Sequence, residues 1–124
     1  MLRVLYKMKA IVIVGNLIPK IFSFLFRNAI FAIAFWPFIF VRTRRENDAI
    51  LINHELIHIK QYRELFVVGG VVLYVFDFIV GLFKYKNVYL AYRNIRFEQE
   101  AYENQHDLGY LSKRRRLAWR KYSV

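Results

Sequence analysis

Apolar and polar positions divide the chain into four stretches. Residues 50–65 read ILINHELIHIKQYREL, and Ile50, Leu51, Ile52, Leu56, Ile57 and Ile59 cover nearly the whole circumference of a helix. A helix so apolar belongs at the centre of a fold. The charged run RTRREND precedes it, and Asn47 or Asp48 supplies a short side-chain oxygen to cap its first free N–H groups. Residues 66–83 form a second apolar stretch, marked by Gly69, Gly70, Gly81 and a single acid, Asp77. From Tyr85 to His106 the spacing predicts another helix, with a stripe of Val88, Ala91, Ile95, Glu98 and Tyr102 at steps of three and four. Upstream, residues 1–41 are basic at Arg3, Lys7 and Lys9 and then apolar. Pro19, Lys20, Arg27 and Asn28 interrupt that run before it reaches the ~20 residues of a spanning helix. The apolar run Ala10 to Ile18 has the length of a signal-peptide core, but Pro19-Lys20 stands where a small-residue cleavage site belongs, so the segment is expected to stay in the mature protein. Ala29 to Val41, rich in Phe and Ile with Pro37 inside it, is expected to be extended: a short strand or hairpin before the central helix.

Composition narrows the setting. With 124 residues there is room for one domain and one core. The expected organisation is a single membrane-associated unit: an apolar N-terminal segment over 1–41, site-bearing helices over 48–107 and a basic tail over 111–124. The hydrophobic share is 57%, the aromatic share 19% and the formal charge +11, a combination that suits an anionic membrane surface. Nucleic acid is not expected as a partner, because most of the aromatics sit inside apolar runs such as IFSFLF and FWPFIF, where lipid or core burial explains them better than stacking on a polar ligand. The stretch 66–83 is expected to lie tilted and half-embedded, the alternative being a soluble core helix. A crossing would force the charged segment KYKNVYLAYRNIR back through lipid. Basic residues at the N-terminus, at Arg42 to Arg45, at Lys84 to Lys86 and in the tail Lys113 to Lys121 then all face one leaflet. The expected location is the inner membrane, with the site facing the cytoplasm.

Candidate chemistry sits in the central helix as His-Glu-x-x-His, in a chain with only 3 His. Four residues apart, His54 and His58 project from one helix face at the separation that two ligands of one tetrahedral zinc require, and Glu55 can act on a water there. Cysteine is absent, which leaves His and carboxylate as the strong zinc ligands. On the second helix Glu98 interrupts an apolar stripe, where a buried carboxylate needs a partner. Glu100 is expected on the opposite, solvated face with Arg93, Arg96 and Glu103, paired to Arg96. Glu98 is therefore the expected third ligand. His106 lies off the stripe and is read as surface, and Gln61 lies one turn beyond His58 on the same side.

NHELIHIKQ followed about forty residues later by FEQEAYEN resembles the gluzincin arrangement, HExxH on one helix and Glu on a second. The order WPFIFVR, NHELIHIKQ, an apolar helix, AYRNIRFEQEAY and a basic tail is similar to a family of short bacterial membrane-associated zinc-metallopeptidase-like proteins, over roughly residues 29 to 122. In related integral-membrane peptidases the third ligand opens Glu-x-x-Ala-Asp, and Glu98-Gln-Glu-Ala101-Tyr102 is similar to it through the alanine. Tyr102 stands in place of the aspartate and joins Glu55 as a catalytic candidate. The resemblance implies a mainly α fold: a compact helical metallopeptidase core with apolar membrane-associated segments and one short strand or hairpin ahead of the HExxH helix. It implies Zn2+ on His54, His58 and Glu98 and hydrolysis of a peptide or membrane-protein substrate with Glu55 as general base. It also implies a substrate lying along an edge strand, for which Trp36 to Val41 is the expected segment. Two other classes remain open. One is a scaffold whose structural zinc is closed by His106 or Glu100, and the other a basic membrane-surface adaptor without metal.

Overall fold

Strands open the chain. The computed structural model describes residues 2–5, 10–26, 30–45 and 47–124. Lys7, Lys9, Arg27, Asn28 and Ala29, which entered the sequence reading, lie outside those residues. Leu2–Leu5 (β1) pairs antiparallel with Ala10–Val14 (β2), and helix α1 (Leu17–Phe26) leads to a hairpin of Ala32–Phe35 (β3) and Phe38–Val41 (β4). Pro19 lies in the first turn of α1, where its missing N–H costs no helical bond. Strand β2 runs parallel to β4, so the sheet order is β1-β2-β4-β3. The molecule is mainly helical, as expected, but a single hairpin understates its β part, which is a four-stranded sheet. β4 is an interior strand. The free edge beside the helices is β3, which corrects the expected edge segment Trp36 to Val41.

One face of the sheet carries Val12, Ala32, Ala34, Ile39 and Val41, which pack with Ile59 and with Leu51, Ile52 and Leu56 of the central helix. That helix, α2, spans Ala49–Glu64, and the Asp48 side chain caps it by accepting from the Leu51 N–H at 3.0 Å. After a tight turn, α3 spans Val68–Tyr85 and is the one described helix long and apolar enough to cross a membrane by length and composition. Its contacts with neighbours depend on glycine. A Cβ on Gly70 would lie 2.7 Å from the Tyr62 ring, and one on Gly81 would lie 2.9 Å from the Ala91 Cα.

The expected helix from Tyr85 to His106 is divided. α4 (Val88–Arg93) is capped by Asn87, and α5 (Arg96–Asn104) starts after a break at Asn94 and Ile95. Ile95 offers no side-chain cap to α5. Buried Asp77 of α3 takes over that role: its carboxylate accepts from the Arg96 backbone N–H at 3.1 Å and from the guanidinium at 2.9 and 2.7 Å. Arg96 is thus committed to Asp77 and not to Glu100. Nor is the basic tail loose. A short helix α6 (Tyr110–Lys113) and a 3-10 turn (Ala118–Lys121) fold back, and buried Trp119 packs edge-on to Phe97 at 5.5 Å.

Candidate metal centre

Three elements converge on one buried point. α2 lies against β3 and carries His54, Glu55 and His58; α5, started by Asp77, carries Glu98; α3 brings Tyr74. All four of the α2 and α5 side chains are buried. The Nε2 atoms of His54 and His58 are 3.1 Å apart, and the Glu98 oxygens lie 3.2 Å from each. Ligand atoms of His54, His58 and Glu98 all fall within 4.8 Å of one another, a cluster that could hold a metal ion.

The outer nitrogens decide which ring atoms are free to bind. His58 Nδ1 lies 2.8 Å from Gln61 Oε1, and His54 Nδ1 lies 3.0 Å from Gln105 Oε1. The Gln61 amide cannot be reversed without loss, because its nitrogen donates to the Phe97 carbonyl at 3.1 Å and to Glu100 at 2.9 Å. An amide oxygen only accepts, so each Nδ1 carries a hydrogen and each Nε2 of a neutral ring turns a lone pair inward. Two facing lone pairs and a carboxylate need a cation or a proton between them. Without a metal a proton serves: burial opposes charge on His58, but Glu98, Glu55 and the Gln61 contact raise its pKa to about 9. Burial likewise opposes charge on Glu98, and the two imidazoles hold its carboxyl well below the usual range. Two imidazole nitrogens and a carboxylate this close together form a donor set of the kind that holds a metal ion.

Behind Gln61 stands a second buried cluster that the sequence reading placed in solvent. Glu100 is fully buried, accepts from Gln61 at 2.9 Å and from the Tyr110 hydroxyl at 2.9 Å, and pairs with buried Arg114, which also holds Glu64. Glu100 therefore does not share a solvated face with Arg96. His106 is exposed, as expected. Neither residue reaches the three-ligand cluster.

Glu55 sits beside it. Burial raises its pKa, the two histidines counter that in part, and its carboxylate accepts from the Ala34 backbone N–H. The bond pattern of the hairpin explains that contact. Arg42 donates to the Phe31 carbonyl, so alternate residues turn towards β4 and the N–H and C=O of Ala32 and Ala34 face the free edge. Along this edge runs a cavity of about 490 Å³, lined by all of β3, by His54, Glu55, His58 and Glu98, and otherwise mostly by apolar side chains.

Tyr102 stands one layer out. Its ring meets His54 edge-on at 4.6 Å, Arg93 stacks on it at 3.5 Å, and its hydroxyl bonds to Tyr92 at 3.1 Å. The hydroxyl that reaches the ligand set is Tyr74, which donates to Glu98 Oε1 at 2.7 Å. Sequence reasoning missed Tyr74, although Gly70, Tyr74, Asp77 and Gly81 follow each other at steps of four, three and four and mark a small or polar inward stripe.

No family model, curated protein or solved structure matches the chain. The functional reading therefore rests on the site.

Proposed function

We propose that the protein is a zinc-dependent peptide hydrolase of gluzincin type. The supporting observation is the joint placement of an inward-facing His54, His58 and Glu98 set, the buried carboxylate of Glu55 and a cavity along a free strand edge. Zinc held by the three residues would act as Lewis acid on a carbonyl and lower the pKa of a water towards 7. Glu55 would take the proton from that water. Burial raises its pKa, the direction that strengthens it as a proton acceptor. Ala32, through its outward N–H and C=O, and Ala34, through its outward C=O, would orient an extended peptide by strand addition, while the Ala34 N–H holds the Glu55 carboxylate. Tyr74 would hold the Glu98 carboxylate in place, and Gln61 and Gln105 would hold the rings.

A scaffold with a closed structural site finds less support. The two candidates for a fourth protein ligand are engaged or located elsewhere, Glu100 with Arg114 and His106 in solvent. Glu55→Gln separates the readings, because the substitution removes the base while keeping size. The expected result is near-normal zinc content and folding, with peptide cleavage reduced by ~10² to 10⁴. Unchanged cleavage, or a wild type that binds zinc and cleaves nothing in a broad peptide library, would overturn the hydrolase reading.

A further inference from the structure

Helix α3 has its polarity inverted. Its buried residues are Gly70, Asp77 and Gly81, while Val68, Val72, Val75, Phe76, Ile79 and Phe83 are exposed. At 100° per residue those six fall within an arc of about 100°, opposite the buried three, and Val80, at the margin of exposure, widens it to about 140°. Phe76 is 59% exposed, Val72 63% and Phe83 82%. Water-soluble helices turn the other way, with polar residues out and apolar residues in. α1 repeats the pattern on a smaller scale: Leu17, Ile21 and Phe24 share an exposed face interrupted only by Lys20, a side chain long enough to carry its ammonium clear of an apolar layer.

The cavity lies between these two faces. Ile18 and Phe22 of α1 form one wall, Val71 and Val75 of α3 another, and Phe35 closes the end of β3. Phe35 and Val75 line the cavity and are also about half exposed, so they mark its mouth. The mouth therefore opens on the same side as the exposed apolar arc. Net charge favours an anionic partner, with 20 Lys and Arg against 9 Asp and Glu, and Lys86 is exposed just beyond the end of α3.

We propose that this face docks into an anionic lipid bilayer, with α1 and α3 lying in its outer layer and the cavity mouth at Phe35 and Val75 opening into lipid. A substrate of the hydrolysis proposed above, the reading on which this step rests, then reaches β3 from the bilayer as an extended apolar segment. Bulk water need not carry it.

The chain has no cysteine, so nitroxide labels can be placed singly through Val72→Cys, Phe76→Cys, Ile79→Cys, Phe35→Cys and Arg116→Cys. All five side chains are exposed, or nearly half so at Ile79, and their replacement leaves the core untouched. With the full chain on vesicles of phosphatidylcholine and phosphatidylglycerol, collisions with oxygen and with a water-soluble nickel chelate report depth. The oxygen-to-nickel ratio should be at least tenfold higher at Val72, Phe76, Ile79 and Phe35 than at Arg116. Equal ratios at all five would overturn docking. Low access to both reagents together with dipolar broadening would assign the face to a second copy of the chain. Deep labels on α3 with a water-exposed label at Phe35 would overturn the lipid-facing mouth. None of these readings needs zinc or activity, so their failure is distinct from failure of the hydrolase reading.

Discussion

Replacing Glu100 by alanine removes the acceptor shared by Gln61, Tyr110 and Arg114. Arg114 would keep Glu64, but one buried charge pair would be lost, and Glu100 is fully buried. Breaking a buried pair costs about 3 to 5 kcal/mol, and the surviving Glu64 contact places this case near the lower figure. Against a total stability of roughly 5 to 15 kcal/mol that is a large fraction. A second effect reaches the metal. Gln61 would retain only the Phe97 carbonyl as anchor, and the amide oxygen that fixes the His58 ring would gain freedom. Loss of such support typically costs 10 to 100 fold in metal affinity, and about tenfold is expected here because one anchor remains. Urea denaturation of the metal-free chain measures the first effect, and zinc titration against a competing chelator measures the second. Glu103→Ala is the control: its side chain is 55% exposed, bonded to Tyr122 and paired with Lys121, and should change stability by less than about 0.5 kcal/mol. If Glu100→Ala matched Glu103→Ala in both assays, the chain of support from Arg114 to His58 would be refuted. If it lost stability and kept its zinc affinity, support would end at Gln61.

Gly81→Ala should destabilise the chain, because the added carbon meets the Ala91 Cα at 2.9 Å and its carbonyl oxygen at 3.1 Å. Overpacking of about 1 to 3 kcal/mol outweighs a helix-propensity gain of up to ~1 kcal/mol, so the melting temperature should fall; a rise would show that α3 and α4 separate easily. pH acts on the metal-free chain through His58. Its folded pKa of about 9 exceeds the unfolded value of ~6.5, so its stabilisation is complete below about pH 6.5 and is lost as pH rises towards 9. Over the same window zinc affinity should increase, since the ion displaces that proton. A melting temperature and zinc Kd that stay flat from pH 6.5 to 9 would contradict the shared site.

The helix bearing the motif was legible because its signals are local: Asp48 as cap, His54 and His58 one turn apart, and Gln61 a further turn on. The hairpin was legible in kind, through Phe and Ile around Pro37. β1 and β2 were not, because Ala10–Val14 is a short continuous apolar run whose parallel partner lies beyond α1. Of the stripe that selected Glu98, Ala91, Ile95 and Glu98 are buried across the break at Asn94 and Ile95, whereas Val88 is exposed and Tyr102 half-buried. Glu100 was misplaced for a different reason. Helical spacing shows which residues share a face, but the cover for this face comes from Arg114, fourteen positions away in what reads as a solvated basic tail. The tail's own apolar residues, Leu117 and Trp119, were the available sign that it packs back.

X-ray absorption at the zinc edge of the zinc-loaded chain reads the ligand set of His54, His58 and Glu98. One zinc per chain is expected, with nitrogen and oxygen neighbours only, at about 2.0 to 2.2 Å, and with outer-shell scattering from two imidazoles that is weakened in His58→Ala. A folded chain that retains no zinc, or a spectrum with fewer than two imidazoles and no change in His58→Ala, would contradict that ligand set.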